Sequence, residues 1–107
     1  MLKEYPPQNK LKLAYVYKNG SLLEKRTNKL AVLQLRKTPT RGKRYLMVKF
    51  GNQQYFEHVL IWIWHYGNFE KGLEVDHIDG YERNNVIENL RLVTHKENMQ
   101  NIHKRLK

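Results

Sequence analysis

The sequence predicts an α+β fold, with N-terminal β-hairpins and a helix leading into a C-terminal strand–loop–strand–helix unit. Three observations predict it. Short apolar or alternating runs over residues 11–56 are broken by Asn-Gly and Gly-Asn pairs, the signature of hairpins. Residues 58–66 are apolar almost throughout and stop at Gly67, a length and a stop signal that favour a helix. From Leu73 onward two short apolar runs, Leu73–Ile78 and Leu90–Val93, flank a polar loop and are followed by Thr94-x-x-Glu97. That last pattern is a capping box, and it predicts a helix starting just after Thr94.

Residues 1–11 read as an irregular arm, because Pro6-Pro7 opposes helix and Gln8, Asn9 and Lys10 are polar. Leu11, Leu13, Tyr15 and Tyr17 alternate and predict a strand. Asn19-Gly20 predicts a tight turn, since both residues tolerate positive φ, and Leu22–Arg26 is the expected return strand. Leu30–Leu35 is another expected strand. Lys37–Arg44 cannot pack a core and reads as an exposed basic loop, either one that touches phosphate or one that is simply solvated. Tyr45–Phe50 and Gln53–His58 form a second hairpin around Gly51-Asn52. His58–Tyr66 is the expected helix, with Trp62 and Trp64 as core or flanking residues. In the last helix Met99, Ile102 and Leu106 recur at helical spacing and predict a buried stripe, with Asn98 at its edge.

The length of 107 residues predicts one domain. Its expected parts are a basic β-rich portion over 1–56, a packing helix and connector over 57–70, and the final unit over 71–104. There are no cysteines, which excludes disulfides and thiolate zinc sites. No apolar run approaches the roughly 20 residues of a membrane span, and the N-terminus lacks a signal-peptide core, so a cytoplasmic protein without membrane contact is expected. The formal net charge is +10, and it is uneven: residues 1–50 hold 13 Lys and Arg against two acids, whereas residues 51–107 hold seven against eight. Such asymmetry is the footprint of a nucleic-acid partner rather than of solubility alone.

Asp76 and His77 are adjacent at the end of the first strand of the final unit. A carboxylate suits a hard cation such as Mg²⁺, and an imidazole can take a proton near neutral pH. On a regular strand neighbours face opposite sides, so the two meet one substrate only if the strand bends, and Asp79-Gly80 supplies a turn there. An EF-hand loop starting at Asp76 fails because Ile78 and Gly80 occupy ligand positions. His77, His95 and His103 show no zinc spacing.

In order and spacing, Asp-His-Ile-Asp-Gly (76–80), Asn84-Asn85, Asn-Leu-Arg-Leu-Val-Thr (89–94) and Glu-Asn-Met-Gln-Asn (97–101) resemble the HNH endonucleases, the His-Me finger or ββα-metal nucleases of the small phage and homing type. The resemblance is close over Leu73–Asn101 and weaker back to about Arg44. It implies a ββα-metal finger that hydrolyses double-stranded DNA with one divalent cation, Mg²⁺ or Mn²⁺, and no organic cofactor. It implies His77 as general base, Asp76 and Asn98 as metal ligands, and Asn89 as the catalytic-motif residue that fixes the His77 segment, with Asn85 assisting. Arg41, Lys43, Arg44, Arg91 and Lys96 are the expected phosphate contacts. His95 ranks well below His77 as a ligand or donor. The chain is expected to act as a monomer or homodimer, with target specificity drawn from residues 1–70 or a partner. Two rivals stand beside this reading: a DNA-binding module that kept the fold without catalysis, and an RNase using the same finger.

Overall fold

The computed structural model describes residues 4–37 and 43–99. The chain opens with helix α1 (Gln8–Ala14) and the ribbon β1 (Tyr15–Lys18) and β2 (Ser21–Glu24). A three-stranded antiparallel sheet follows, β3 (Val32–Lys37), β4 (Arg44–Phe50) and β5 (Gln53–Phe56), paired in that order with a bulge between Val32 and Gln34. Helix α2 (Glu57–Tyr66) leads into a second ribbon, β6 (Leu73–His77) and β7 (Leu90–Thr94). Its long loop ends in a 3-10 turn, Ile87–Asn89, and residues 95–99 are helical.

Helix α2 is the centre of the molecule. Val59, Leu60, Ile61 and Ile63 are all buried, in one cluster with Leu11 of α1, Tyr15 and Leu22 of the first ribbon, Val48 and Tyr55 of the sheet, and Val75 and Leu90 of the second ribbon. A helix apolar nearly all round is one that other elements must surround, and here they come from both ends of the chain. Burying one such Leu or Ile side chain contributes about 1.5–3 kcal/mol, so this helix ties the finger to the rest. Gly67 ends it at φ +92, its N–H donating to Ile63 O at 2.8 Å, a conformation only glycine adopts without strain. Trp62 and Trp64 pack half-buried against the same cluster.

Several expectations are corrected. Residues 8–14 are a helix, neither an arm nor a strand: Pro7 stands at its N-cap, its carbonyl accepting the Lys10 and Leu11 N–H groups. A proline lacks only a donor that the first turn leaves unused, so Pro6-Pro7 starts this helix instead of blocking it. The apparent alternation was the misleading signal, since Leu11 is fully buried while Leu13 is exposed. The return strand ends at Glu24, where Asn28 takes φ +59 and its N–H donates to Glu24 O. Leu30 makes only an isolated bridge to Leu23, and the strand proper starts at Val32. Arg44 belongs to β4 rather than to the basic loop, and residues 38–42 of that loop lie outside the described residues. Met99 is exposed, and among the described residues of the last helix Asn98 is the buried one. Ile102, Leu106 and His103 also lie outside the described residues.

Candidate active site

The second ribbon is held in antiparallel register, Asp76 opposite Arg91 and His77 opposite Leu90. The strand ends at His77 and the backbone turns at once, with Gly80 N–H donating to His77 O at 2.9 Å and Ile78 N–H donating to Asn89 O at 2.8 Å. Asp76 and His77 are both 5% exposed, and both line one cleft of about 320 Å³. Asn98, Lys43, Tyr45 and His58 line it as well. Strand alternation is therefore no obstacle at this position, because the ribbon stops there.

The capping box forms as expected: Glu97 N–H donates to Thr94 Oγ1 at 3.1 Å, and Thr94 N–H donates to Glu97 Oε1 at 2.9 Å. This starts the helix within four residues of β7's end and turns Asn98 inward, 8% exposed. The Asn98 amide nitrogen donates to Glu74 Oε1 at 2.7 Å, which fixes which end of the amide is which. Its oxygen is buried and, among the described residues, has no hydrogen-bond donor against it. A buried carbonyl oxygen without a partner is costly unless something else satisfies it.

Each remaining candidate has a defined place. Asn89 staples the 78–89 loop: Nδ2 donates to Asp79 Oδ1 and to Asn84 O, both at 2.9 Å, and Oδ1 accepts the Asp79 N–H at 3.0 Å. Asp79 also accepts from Tyr81 N–H and Asn84 Nδ2. Although slight burial opposes it, these bonds from Asn84, Tyr81 and Asn89 hold the Asp79 carboxyl below its ordinary range. Asn85 lies beside His77, its Oδ1 2.8 Å from Nε2. Arg91 turns its guanidinium to Asp76, Nε and Nη2 donating to Oδ2 at 3.1 and 3.0 Å. Lys43 reaches the cleft and donates to Gly80 O at 2.9 Å. Arg44 and Lys96 are exposed, and Arg41 lies outside the described residues. His95 pairs with Glu74 Oε2 at 2.9 Å.

Burial pushes the His77 imidazole below its ordinary range, and Lys43 adds to this; the Asn85 hydrogen bond and the charges of Asp76 and Asp79 act the other way. Burial displaces His58 well below its ordinary range, and His77, whose ring centroid lies 4.5 Å away, adds to this. Both rings are thus favoured neutral, the form in which imidazole accepts a proton.

Three residues about the site escaped sequence reasoning: Glu57, His58 and Glu74. The signal for the first two was present, an acid and a histidine at the head of the most apolar run of the chain. Polar residues opening a buried helix need partners, and those partners are distant in sequence. Glu74, at the usual alternating position on a strand, carried no signal.

Three residues of the site, Asp76, Asn98 and His77, offer only oxygen and imidazole donors. Oxygen ligands fit a hard cation of the Mg²⁺ class, which needs one or two protein ligands and keeps its waters. Among the described residues there is no cluster of three or more His, Cys, Asp or Glu able to hold a metal. An Asp with an Asn carbonyl is a different kind of site, and the orphaned Asn98 oxygen fits it.

Residues 55–100 match the family model for HNH endonuclease. YosQ, an SPbeta prophage-derived protein of Bacillus subtilis (strain 168) assigned as an HNH homing endonuclease, is 43% identical over 54 residues, covering 50% of this chain and 31% of the relative. The HNH homing endonuclease I-HmuI, in a structure of its DNA binding and cleavage, is similar with a TM-score of 0.59 and 33% identity, covering 85% of this chain and 52% of that one. The chain thus spans about a third of the one protein and half of the other. The strand–loop–strand–helix unit and the ordered motif residues lie within the matched segment, so residues 55–100 are similar to the HNH endonucleases in sequence and in fold.

Proposed function

We propose that this chain is a metal-dependent DNA endonuclease that hydrolyses phosphodiester bonds. The observation that carries the proposal is the shared cleft, in which Asp76, His77 and Asn98 meet and one amide oxygen is buried without a partner among the described residues. Asp76 and Asn98 would hold one Mg²⁺ or Mn²⁺, with water and phosphate oxygens completing its shell. Bound there, the ion supplies Lewis-acid stabilisation of the departing 3′ oxygen. His77 takes the proton of a water as its oxygen attacks phosphorus. The bond from phosphorus to the 3′ oxygen breaks, leaving a 3′-hydroxyl and a 5′-phosphate. Arg91 holds Asp76 by one carboxylate oxygen and so orients it. Lys43 brings a cation to the mouth of the cleft, where a phosphate would lie.

The basic first half would lie along the duplex. If it makes 6–10 phosphate contacts, affinity falls by roughly 10³–10⁵ between 50 and 200 mM salt. The deciding experiment is cleavage of supercoiled plasmid with Mg²⁺ or Mn²⁺, wild type against His77→Ala, with the ends mapped. Metal-dependent cutting by the wild type alone supports the proposal. Equal cutting by both, or none by either, defeats it, and stronger cutting of an RNA competitor would reassign the substrate.

A further inference from the structure

His77 is held from behind by a buried chain of hydrogen bonds that begins in the N-terminal ribbon. Leu22 N–H donates to Glu57 Oε2 at 3.2 Å. Asn85 Nδ2 donates to Glu57 Oε1 at 3.1 Å, and Asn85 Oδ1 lies 2.8 Å from His77 Nε2. Glu57 is 0% exposed and Asn85 2%, so water does not compete for these groups.

The chain runs in one direction. A backbone N–H can only donate, and a carboxylate can only accept, so Glu57 accepts from both neighbours. The Asn85 amide must then turn its NH₂ to Glu57 and its oxygen to His77. An amide oxygen only accepts, which requires His77 to carry its proton on Nε2. The proton-free nitrogen is Nδ1. A Glu57 protonated on Oε1 would drive the chain backwards.

The β1–β2 ribbon also grips the segment carrying Asn85. Tyr17 Oη accepts the Ile87 N–H at 2.9 Å. At the turn, a Cβ on Gly20 would stand 3.0 Å from Val86 N and Cγ1 and 3.3 Å from the Asn85 carbonyl carbon. Three contacts from one hairpin thus converge on Asn85 and its neighbours, or on the carboxylate that orients it.

We propose that Glu57 and Asn85 are positioning residues that fix His77 as its Nε2–H tautomer, so that Nδ1 is the atom receiving the proton of the attacking water. The nuclease reading above is its premise. It follows that the first ribbon serves catalysis by supporting the base.

The test is direct detection of the tautomer by long-range ¹H–¹⁵N spectra of labelled full-length protein, at a pH where the imidazole is neutral. Wild type shows His77 protonated at Nε2. In Glu57→Gln, the new amide's oxygen keeps the Leu22 bond and its NH₂ faces Asn85. Asn85 then flips and donates to His77 Nε2, moving the proton to Nδ1. Single-turnover cleavage falls by roughly 10²-fold or more, the scale of losing general-base catalysis, with DNA affinity unchanged. In the double variant Glu57→Gln/Asn85→Asp, the amide at position 57 donates to the carboxylate at position 85, which also accepts from His77 Nε2–H. The tautomer returns, and at least about tenfold of the rate with it, since correct protonation state is restored. A merely structural Glu57 predicts no such rescue.

Wild-type His77 protonated at Nδ1 overturns the proposal, and this needs no variant to fold. So does a Glu57→Gln protein with the wild-type tautomer, or a double variant with the single variant's tautomer. The spectrum is independent of cutting: a protein with Nε2–H and no nuclease activity would sink the nuclease reading while leaving the tautomer assignment in place.

Discussion

The molecule contains two antiparallel ribbons of nearly equal strand length, and they differ in how their strands are joined. In the first, β1 and β2 are linked by Asn19-Gly20 alone, at φ +48 and +86, the backbone of a type I′ turn. In the second, β6 and β7 are linked by residues 78–89, which Asn89, Asp79 and Asn84 knit together through side-chain bonds. A tight turn leaves no room for a site. A long loop does, provided its backbone polar groups are satisfied locally. On the proposed function the first ribbon supports and the second carries the chemistry, and the two meet where the Gly20 turn abuts Val86.

That division can be broken most forcefully in the second ribbon. His77→Ala should lower single-turnover cleavage by about 10²–10⁴-fold, the range for a general base, while DNA affinity in a gel-shift assay stays within a few-fold. A matching loss of affinity would assign His77 to binding instead. Asn89→Ala strips partners from the Asp79 N–H and Asn84 O. Losing hydrogen bonds of such partly exposed groups costs about 0.5–1.5 kcal/mol each, so urea unfolding should show a lower midpoint together with slower cutting. An unchanged midpoint would mean that the loop does not depend on this staple.

The first ribbon offers a smaller but telling effect. Gly20→Ala places a side chain at φ +86, worth about 1–2 kcal/mol of backbone strain, and presses on Val86. Stability and cleavage should fall together, because the strain is delivered to the segment holding Asn85. Loss of stability with full cleavage rate would uncouple the ribbons.

The smallest effect is one of pH. His58 and His77 both lie below their ordinary range in the folded chain because of burial. The unfolded chain then binds protons that the folded one refuses, so this contribution is complete above the unfolded value of about pH 6.5 and is lost as pH falls from there through the lower folded values. Each histidine adds at most about 1.4 kcal/mol per pH unit to the slope. Urea melts between pH 7.5 and 5 should show His58→Leu with the shallower decline; an unaltered slope would place the acid sensitivity elsewhere.

The finger was legible because its information is local. Thr94 and Glu97 cap each other three residues apart, and Asp76, His77 and Asn89 lie on one ribbon and its connecting loop. The helix at Glu57–Tyr66 was legible from its unbroken apolar run. What stayed hidden depends on contacts made across the fold. Helix α1 was masked by an accidental alternation of Leu11 and Leu13, which tertiary packing alone distinguishes. Met99 was expected in a buried stripe and is exposed, whereas Asn98, expected at its edge, is buried, since apolar spacing says nothing of a polar cleft. Glu57 reads as an acid at a helix start, favourable to the dipole. Its bonds to Leu22 and Asn85 span 35 and 28 residues, beyond the reach of any local pattern.

The most direct check on the shared cleft is Mn²⁺ binding followed by electron paramagnetic resonance, without DNA and without turnover. Wild type should bind one ion. Asn98→Ala should bind it at least roughly tenfold more weakly, since even residues that only orient a ligand are worth 10–100-fold, and His77→Ala should bind it normally. A wild-type protein that takes up no Mn²⁺, or an Asn98→Ala protein that binds it as well as wild type does, would contradict the meeting of strand carboxylate and helix amide around one cation.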